Sequence, residues 1–100
     1  MERELPAIPE DAALLQLAQK LFWWKAPQEA LADPTRFAAQ VMTYGNWEDV
    51  QLLRARCGEE LFRRTLREAP PGVFDEPSWA YWHHVFGFEP VPDMPRRELC

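Results

Sequence analysis

The stretch DPTRFAAQVMTYGNWEDVQLLRARCGEE, residues 33–60, decides the fold because it places helix-sized segments end to end with almost nothing between them. Asp33 and Pro34 open the first segment, since aspartate can cap a helix N-terminus and proline needs no backbone donor in the first turn. Tyr44-Gly45-Asn46 ends that segment and starts the next, and Gly58 precedes a third. We therefore predict short helices that fold back directly on one another.

The turn residues between these segments make specific predictions. Gly45 is expected to take the left-handed backbone conformation that closes many helices. Asn46 is expected to cap the following helix, with Asp49 three residues later in place of the usual glutamate of a capping box. Gly58 closes that helix, and the next one runs from Glu59 to Ala69, where Pro70-Pro71-Gly72 stops it.

Two more helices flank this stretch. The first begins near Pro9-Glu10-Asp11 and ends in residues 23–27, because Pro27 disfavours helical angles at the residue before it. Residues 28–32 can add one further turn. The last helix begins at Asp75 or Glu76, with proline in its first turn, and runs to Phe86 before Gly87.

Apolar side chains recur at helical spacing in every segment, which predicts a buried face on each helix. The fold class is therefore all-α, a compact single-domain bundle of about five short helices spanning residues 9–87. Residues 1–8 are expected to be an extended lead-in, and 88–100 an irregular Pro-rich arm on the surface or on a partner. Val85 and Phe86 are expected to point inward, and the predicted core consists of Leu17, Leu21, Phe37, Val41, Leu53, Phe62, Leu66, Trp79 and Trp82.

Composition limits the functions that the chain can serve. A formal charge of −5 on 100 residues argues against general attraction to phosphate backbones or anionic lipid. The N-terminal residues do not resemble a secretory signal, and no window approaches the ~20 apolar residues of a membrane span. We therefore expect a cytoplasmic protein that does not bind membranes. Cys57 and Cys100 form no disulfide framework, and Cys57 is interpreted as a small core residue.

Arginines cluster in residues 51–69, at Arg54, Arg56, Arg63, Arg64 and Arg67, against three glutamates. Such a face could contact DNA in the manner of a helix-turn-helix, with Arg56, Arg63, Arg64 and Arg67 as the candidate residues. Glu60 and Glu68 interrupt the cluster, however, and the helix lacks asparagine or glutamine to read bases. The alternative is a solvated face with ion pairs within the helix, such as Glu60 with Arg64.

Five tryptophans in 100 residues are many for a small domain, and most are expected in the core. Adjacent Trp23 and Trp24 cannot both face inward from one helix, so one of them is expected at a rim. An exposed tryptophan beside Pro27 would suit a protein-binding anchor, which makes Trp23, Trp24 and Pro27 the candidate partner-binding residues.

Catalytic and metal-binding patterns are weak. His83 and His84 are consecutive, so on a helix they diverge by about 100° and cannot chelate one ion in the i, i+4 manner. Protonated histidine complements the negative end of a helix dipole, which is the better interpretation. The chain has no nucleophile elbow, phosphate loop or HExxH motif. We therefore expect no enzymatic activity, no cofactor and no metal.

Several short motifs carry a resemblance: Leu21-Phe22-Trp23, Pro27, Phe37 to Val41, Tyr44-Gly45, Glu48-Asp49, Gly58-Glu59-Glu60-Leu61 and Ser78-Trp79. Together, over roughly residues 21–85, they resemble a family of small uncharacterised bacterial helical proteins. Members of that family look like partners of nucleotidyltransferase-type toxins of abortive-infection systems. The resemblance implies a regulatory, antitoxin-like role with such a toxin as partner. This chain departs from the pattern at Trp24-Lys25, where the family often has an acidic residue.

These observations together favour a non-enzymatic protein-interaction or regulatory module, with another protein or a second copy of the chain as partner. DNA binding through Arg63, Arg64 and Arg67 is the alternative.

Overall fold

Six α-helices follow one another in the part of the chain that the computed structural model describes, which is Ile8 and residues 11–95. They are α1 (Ala12–Leu21), α2 (Pro27–Leu31), α3 (Pro34–Tyr44), α4 (Trp47–Cys57), α5 (Glu59–Arg67) and α6 (Glu76–Val85). These residues contain no strand, so the predicted all-α class is confirmed. The five main helices are the predicted ones, and α2 is the additional turn that residues 28–32 allowed.

Side-chain caps explain where four of the helices begin. Asp11 accepts a hydrogen bond from the backbone N–H of Leu14 at 2.8 Å and caps α1. Three predicted caps, Asp33, Asn46 and Asp75, likewise accept from the backbone three residues later, at 3.3, 2.8 and 2.9 Å. Each cap satisfies a backbone donor that the first turn leaves without a partner.

Gly45 differs from its prediction. Its φ of −76° and ψ of 158° are extended angles, so α3 does not end on a left-handed residue there. Glycine is instead required for space, because a Cβ at this position would lie 2.7 Å from the carbonyl oxygen of Val41 and 3.1 Å from Cβ of Asp49. Gly58 does have a positive φ of 82°, and this single residue joins α4 to α5.

Helix α3 lies at the centre of the bundle and packs against α1, α2, α4, α5 and α6, most extensively against α5. This central position explains why Phe37, Ala38, Ala39 and Val41 have no exposed surface. The Cα radius of gyration, 13.3 Å, is close to the ~13 Å expected of a compact domain of this length. All nine predicted core residues are buried: Leu17, Leu21, Phe37, Val41, Leu53, Phe62, Leu66, Trp79 and Trp82.

In helix α6, one side chain, that of Val85, does not point in the predicted direction. Trp79 and Trp82 are buried and Phe86 packs against the core, whereas Val85, predicted to face inward, is 50% exposed. At 100° per residue, Val85 lies about 90° from the mean direction of the other three side chains. The aromatic residues therefore set the buried face, and Val85 falls at its edge.

Residues 88–95 have no regular secondary structure and lie against α6. The N–H of Phe88 donates to the carbonyl of His83 at 2.8 Å, and the indole Nε1 of Trp79 donates to the carbonyl of Pro92 at 2.8 Å. Among the described residues, no helix has the length and apolar character needed to cross a membrane. The predicted lead-in 1–8, apart from Ile8, and the end of the arm, 96–100, lie outside the described residues.

Candidate functional site

The α1–α2 corner, which we define as residues 22–27, joins two helices and carries the three predicted partner-binding residues. Helix α1 stops at Leu21, and the extended φ and ψ of Ala26, −65° and 142°, suit a residue that precedes proline. Pro27 then opens α2. The N–H of Ala26 donates to the Glu29 carboxylate at 3.1 Å, which fixes the turn from its far side.

Both tryptophans of this corner lie on the surface. Trp23 is 83% exposed and Trp24 is 53% exposed, whereas only one of them was expected at a rim. Their ring centroids are 5.6 Å apart in an edge-to-face arrangement, and Trp24 also lies 5.3 Å from the ring of Phe22. Pro27 is half-buried beside them. The three predicted partner-binding residues therefore share one corner, with Phe22 as its buried base.

The expectation that most tryptophans are buried is wrong. Trp23, Trp24 and Trp47 are exposed, and only Trp79 and Trp82 belong to the core. The two buried indoles have internal acceptors, the carbonyls of Pro92 and Met42, each at 2.8 Å. Phenylalanine and aliphatic side chains fill the rest of the interior, so the other three tryptophans are not needed there.

A cavity of about 410 Å³ opens beside the α1–α2 corner. Two exposed or half-exposed rings, Trp24 and Tyr44, form part of its lining, and the buried side chain of Val73 forms another part. Lys25, Arg36 and Gln40 supply its polar groups. These residues come from the α1–α2 corner, from α3 and from the loop before α6, so the cavity exists only in the folded bundle.

The charge of this cavity is opposite to that of the whole chain. Neither Asp nor Glu lines it, although the chain carries a net charge of −5. Lys25 Nζ lies 5.6 Å from the centroid of the Phe22 ring, and no described carboxylate is within ion-pair distance of it. Arg36 Nε lies 3.6 Å from Asp33, in a pair whose side chains are 38% and 54% exposed. Such a pair is weak, because solvent screens it.

The arginine face of α5 is occupied by ion pairs. Arg63 pairs with Glu59 at 3.2 Å and Arg64 with Glu68 at 3.0 Å, while Arg67 reaches Glu60 at 2.7 Å. Arg56 of α4 lies 3.5 Å from Asp11. The predicted pair Glu60 with Arg64 is therefore wrong, because Glu60 is bound by Arg67 and Arg64 turns toward the C-terminal end of the helix. Each candidate DNA-contacting arginine faces a carboxylate.

A second aromatic surface lies between α4 and α6 and was not predicted. Trp47, Tyr81 and Val85 are 64%, 53% and 50% exposed and surround a cavity of about 200 Å³. Its base is formed by Val50, Phe62 and Trp82. Helical spacing could have predicted that Tyr81 is exposed, since the neighbouring tryptophans of α6 face inward. It could not predict that α4 and α6 lie side by side.

The cysteine and the two histidines of the described residues interact with other groups of the chain. Burial raises the pKa of the Cys57 thiol, and the negative charge of Asp11 raises it further. His83 is buried, with Nδ1 2.8 Å from the carbonyl of Trp79, and exposed His84 lies 2.7 Å from Glu89. Within residues 11–95 and Ile8, no three side chains of histidine, cysteine, aspartate or glutamate are grouped so that they could hold a metal ion.

Comparisons with protein-family models, with curated proteins and with solved structures found no match to this chain. The α1–α2 corner, its cavity and the charges around them are the features of this chain that indicate a function.

Proposed function

We propose that this chain is a non-enzymatic protein-interaction module and that the α1–α2 corner is its contact surface. The observation that carries this proposal is the pair of adjacent exposed indoles, Trp23 and Trp24, on a turn held by Pro27 and the Glu29 hydrogen bond. Tryptophan is enriched among the few residues that dominate binding energy, and a rigid turn loses little conformational entropy on binding.

Neither indole belongs to the buried core cluster, which strengthens this proposal. The core is continuous without them, and no buried side-chain N or O atom of the described residues lacks a hydrogen-bond partner. Exposed apolar rings that lie side by side are a typical mark of an interaction surface. A partner that covered them would remove two large apolar side chains from water, which is the main favourable term in protein association.

The test is affinity capture from cells of the source organism with three versions of the tagged protein. The wild type is compared with Trp23→Ser/Trp24→Ser and with Gln16→Ser/Gln19→Ser, a matched control that changes two exposed polar residues of α1. We expect the wild type and the control to retain the same proteins, and the tryptophan variant to lose them about tenfold or more. Circular dichroism verifies that all three are folded.

Two outcomes of this affinity capture would contradict the proposal. A wild-type protein that elutes as a monomer with no retained protein at any salt concentration opposes it, and so does a tryptophan variant that retains the same set. If the wild type forms a dimer that the tryptophan variant does not form, the partner is a second copy of the chain.

A nucleotidyltransferase-type toxin is the partner class that the resemblance of the LFW, YG and ED motifs supports, with this chain in an antitoxin-like role. Its test is co-expression with the toxin gene nearest to its own gene, followed by size-exclusion chromatography. A complex that forms with the wild type, and not with Trp23→Ser/Trp24→Ser, supports this partner. Separate elution of the two wild-type proteins opposes it.

A further inference from the structure

We propose that the cavity beside the α1–α2 corner receives an acidic side chain of the partner, so that the bound segment carries a carboxylate next to an apolar or aromatic residue. This inference rests on the proposed function and specifies its partner. The juxtaposition that carries it is two cations, Lys25 and Arg36, in a cavity walled by Trp24 and Tyr44 and lined by no carboxylate.

Charge complementarity selects an anion. Lys25 has no described carboxylate within ion-pair distance, and its Nζ rests near the face of the Phe22 ring. Asp33 pairs with the Arg36 side chain and also caps α3, because its Oδ1 accepts from the Arg36 backbone N–H at 3.3 Å. A carboxylate entering the cavity would meet both cations in a partly desolvated site, where charge-assisted hydrogen bonds are stronger than on open surface.

The apolar surface of the cavity favours an apolar residue next to the carboxylate in the bound segment. Phe22 and Val73 are buried at the base of the cavity, and the rings of Trp24 and Tyr44 stand at its border. Gln40 Nε2 donates to the carbonyl of Leu21 at 3.2 Å, which ties this wall of α3 to the end of α1. The walls are therefore held in place, and an aromatic or aliphatic group beside the carboxylate finds a preformed apolar contact.

A polypeptide segment fits this site better than a free small ligand. About 410 Å³ is within the range of small-molecule pockets, but the apolar surface continues outside the cavity to Trp23, which is 83% exposed. A free ligand in the cavity leaves that indole in water, whereas an extended or helical segment covers both. Single-stranded nucleic acid is disfavoured by the net charge of −5 and by exposed Glu29 and Asp33 on the neighbouring helix and loop.

The test is selection from a random 12-residue peptide library displayed on phage, followed by fluorescence polarisation with the enriched peptides. Four proteins are compared: wild type, Lys25→Glu/Arg36→Glu, Trp24→Ala, and the control Arg64→Glu/Arg67→Glu. The control makes the same change in net charge at arginines that do not line the cavity. Glutamate at position 36 suits the first turn of α3, so this variant is expected to fold.

We expect the enriched peptides to carry Asp or Glu within a few positions of Trp, Phe or Leu. Their affinity should fall about tenfold or more with Lys25→Glu/Arg36→Glu and with Trp24→Ala, and about threefold or less with the control. The loss with charge reversal should shrink as salt is raised, because screening weakens the charge contact in the wild type.

Three contrary outcomes are distinguishable, and they separate failure of the inference from failure of the proposed function. Enriched peptides without acidic residues, whose binding needs Trp24 and not the cations, overturn the inference and leave the proposed function standing. No enrichment, or peptides indifferent to both changes, overturns the α1–α2 corner as a contact surface. A 15-nucleotide dT oligomer that binds more tightly than any peptide at 150 mM salt, and is lost with Lys25→Glu/Arg36→Glu, overturns the acidic segment as occupant.

Discussion

Gly45 and Gly58 stand at the two ends of α4 and are required for different physical reasons. Gly45 has ordinary extended angles, and only the closeness of the Val41 carbonyl and Asp49 excludes a side chain. Gly58 has open space around it but combines a φ of 82° with a ψ of 171°. That combination is essentially confined to glycine, and it differs from the left-handed helical region that asparagine tolerates.

Substitution at these two glycines should therefore separate crowding from backbone strain. Gly45→Ala is expected to lower the free energy of unfolding by about 1–3 kcal/mol through overpacking against the backbone. Gly58→Ala is expected to cost about 1–3 kcal/mol, and Gly58→Asn about the same, because asparagine gains nothing at these angles. Urea denaturation measures all three. A Gly58→Asn protein as stable as the wild type would contradict the strain argument.

Cys57 provides a pH-dependent prediction. Burial and the charge of Asp11 raise the pKa of its thiol, so the folded protein keeps the thiol proton to higher pH than the unfolded chain does. The free energy of unfolding should therefore fall as the pH rises above the ~8.5 of an ordinary thiol. In a Cys100→Ser background, alkylation of Cys57 by iodoacetamide at pH 8 should be slower than alkylation of an exposed cysteine.

The matched variant for Cys57 is Asp11→Asn, which keeps a good N-cap for α1 while removing the charge. It should speed alkylation only partly, since burial is the larger cause of the raised pKa. Alkylation in Asp11→Asn as fast as in the urea-unfolded protein would show that burial contributes little.

At the scale of elements, one carboxylate joins the start of α4 to the side of α1. Asp49 Oδ2 accepts from the backbone N–H of Asn46 at 3.0 Å and pairs with Lys20 Nζ at 2.7 Å. The Asp49 side chain is 13% exposed and that of Lys20 is 52% exposed. The capping box predicted from Asn46 and Asp49 is thus confirmed, and a contact between helices is added to it.

A double-mutant cycle measures how much the Asp49–Lys20 pair contributes to the free energy of unfolding. Asp49→Ala is expected to lower the free energy of unfolding by about 1 kcal/mol or somewhat more, because it removes a cap bond and an ion pair. Lys20→Met alone should cost less than about 1 kcal/mol, since the lysine is half exposed and solvent screens the pair. In the Asp49→Ala background Lys20→Met should cost nothing. An unchanged cost there would assign the effect of Lys20 to packing rather than to the ion pair.

The ion pairs of α5 lead to a prediction about DNA. Arg63 and Arg67 each pair with a glutamate of α5, and Arg64 pairs with Glu68 directly after it. Contact with phosphate would require breaking those pairs in a chain of net charge −5. Fluorescence anisotropy with a 20-base-pair duplex from the promoter of its own operon should show no binding at 150 mM salt. Salt-dependent binding that is lost in Arg63→Glu/Arg64→Glu/Arg67→Glu would contradict this and support the DNA alternative.

At the scale of the whole molecule, the arm completes the core over α6. Phe88 and Met94 pack against the buried cluster, and Pro92 accepts the indole hydrogen bond of Trp79. Truncation after Gly87 should lower the free energy of unfolding by about 2–3 kcal/mol, less than loss of a fully buried phenylalanine because Phe88 is half-buried.

Urea denaturation of the truncated chain and of Pro92→Ala tests this role. The Pro92→Ala protein keeps the backbone carbonyl that accepts from Trp79, so its stability should stay within about 1 kcal/mol of the wild type. A truncated chain as stable as the full chain would show that the arm rests on α6 without supporting it.

Prediction from sequence succeeded where neighbouring residues decide the outcome. Asp33, Asn46 and Asp75 cap helices because each side chain reaches a backbone donor three residues away, and that distance depends on local geometry alone. The buried stripe also follows from helical spacing, which is why Phe37 and Leu53 were identified as core residues. Gly45 escaped prediction because a clash with Val41 is invisible to turn statistics.

By itself, therefore, the sequence determined the five main helices, three of their caps and most of the faces that they bury, since these depend on residues within about one turn of each other. Only the tertiary structure decided that Trp23 and Trp24 stay in water and that Lys25, Arg36 and Tyr44 meet around one cavity. Those residues belong to different segments, and their meeting depends on how α1, α2 and α3 cross. That crossing results from packing of the whole core, which no local spacing encodes.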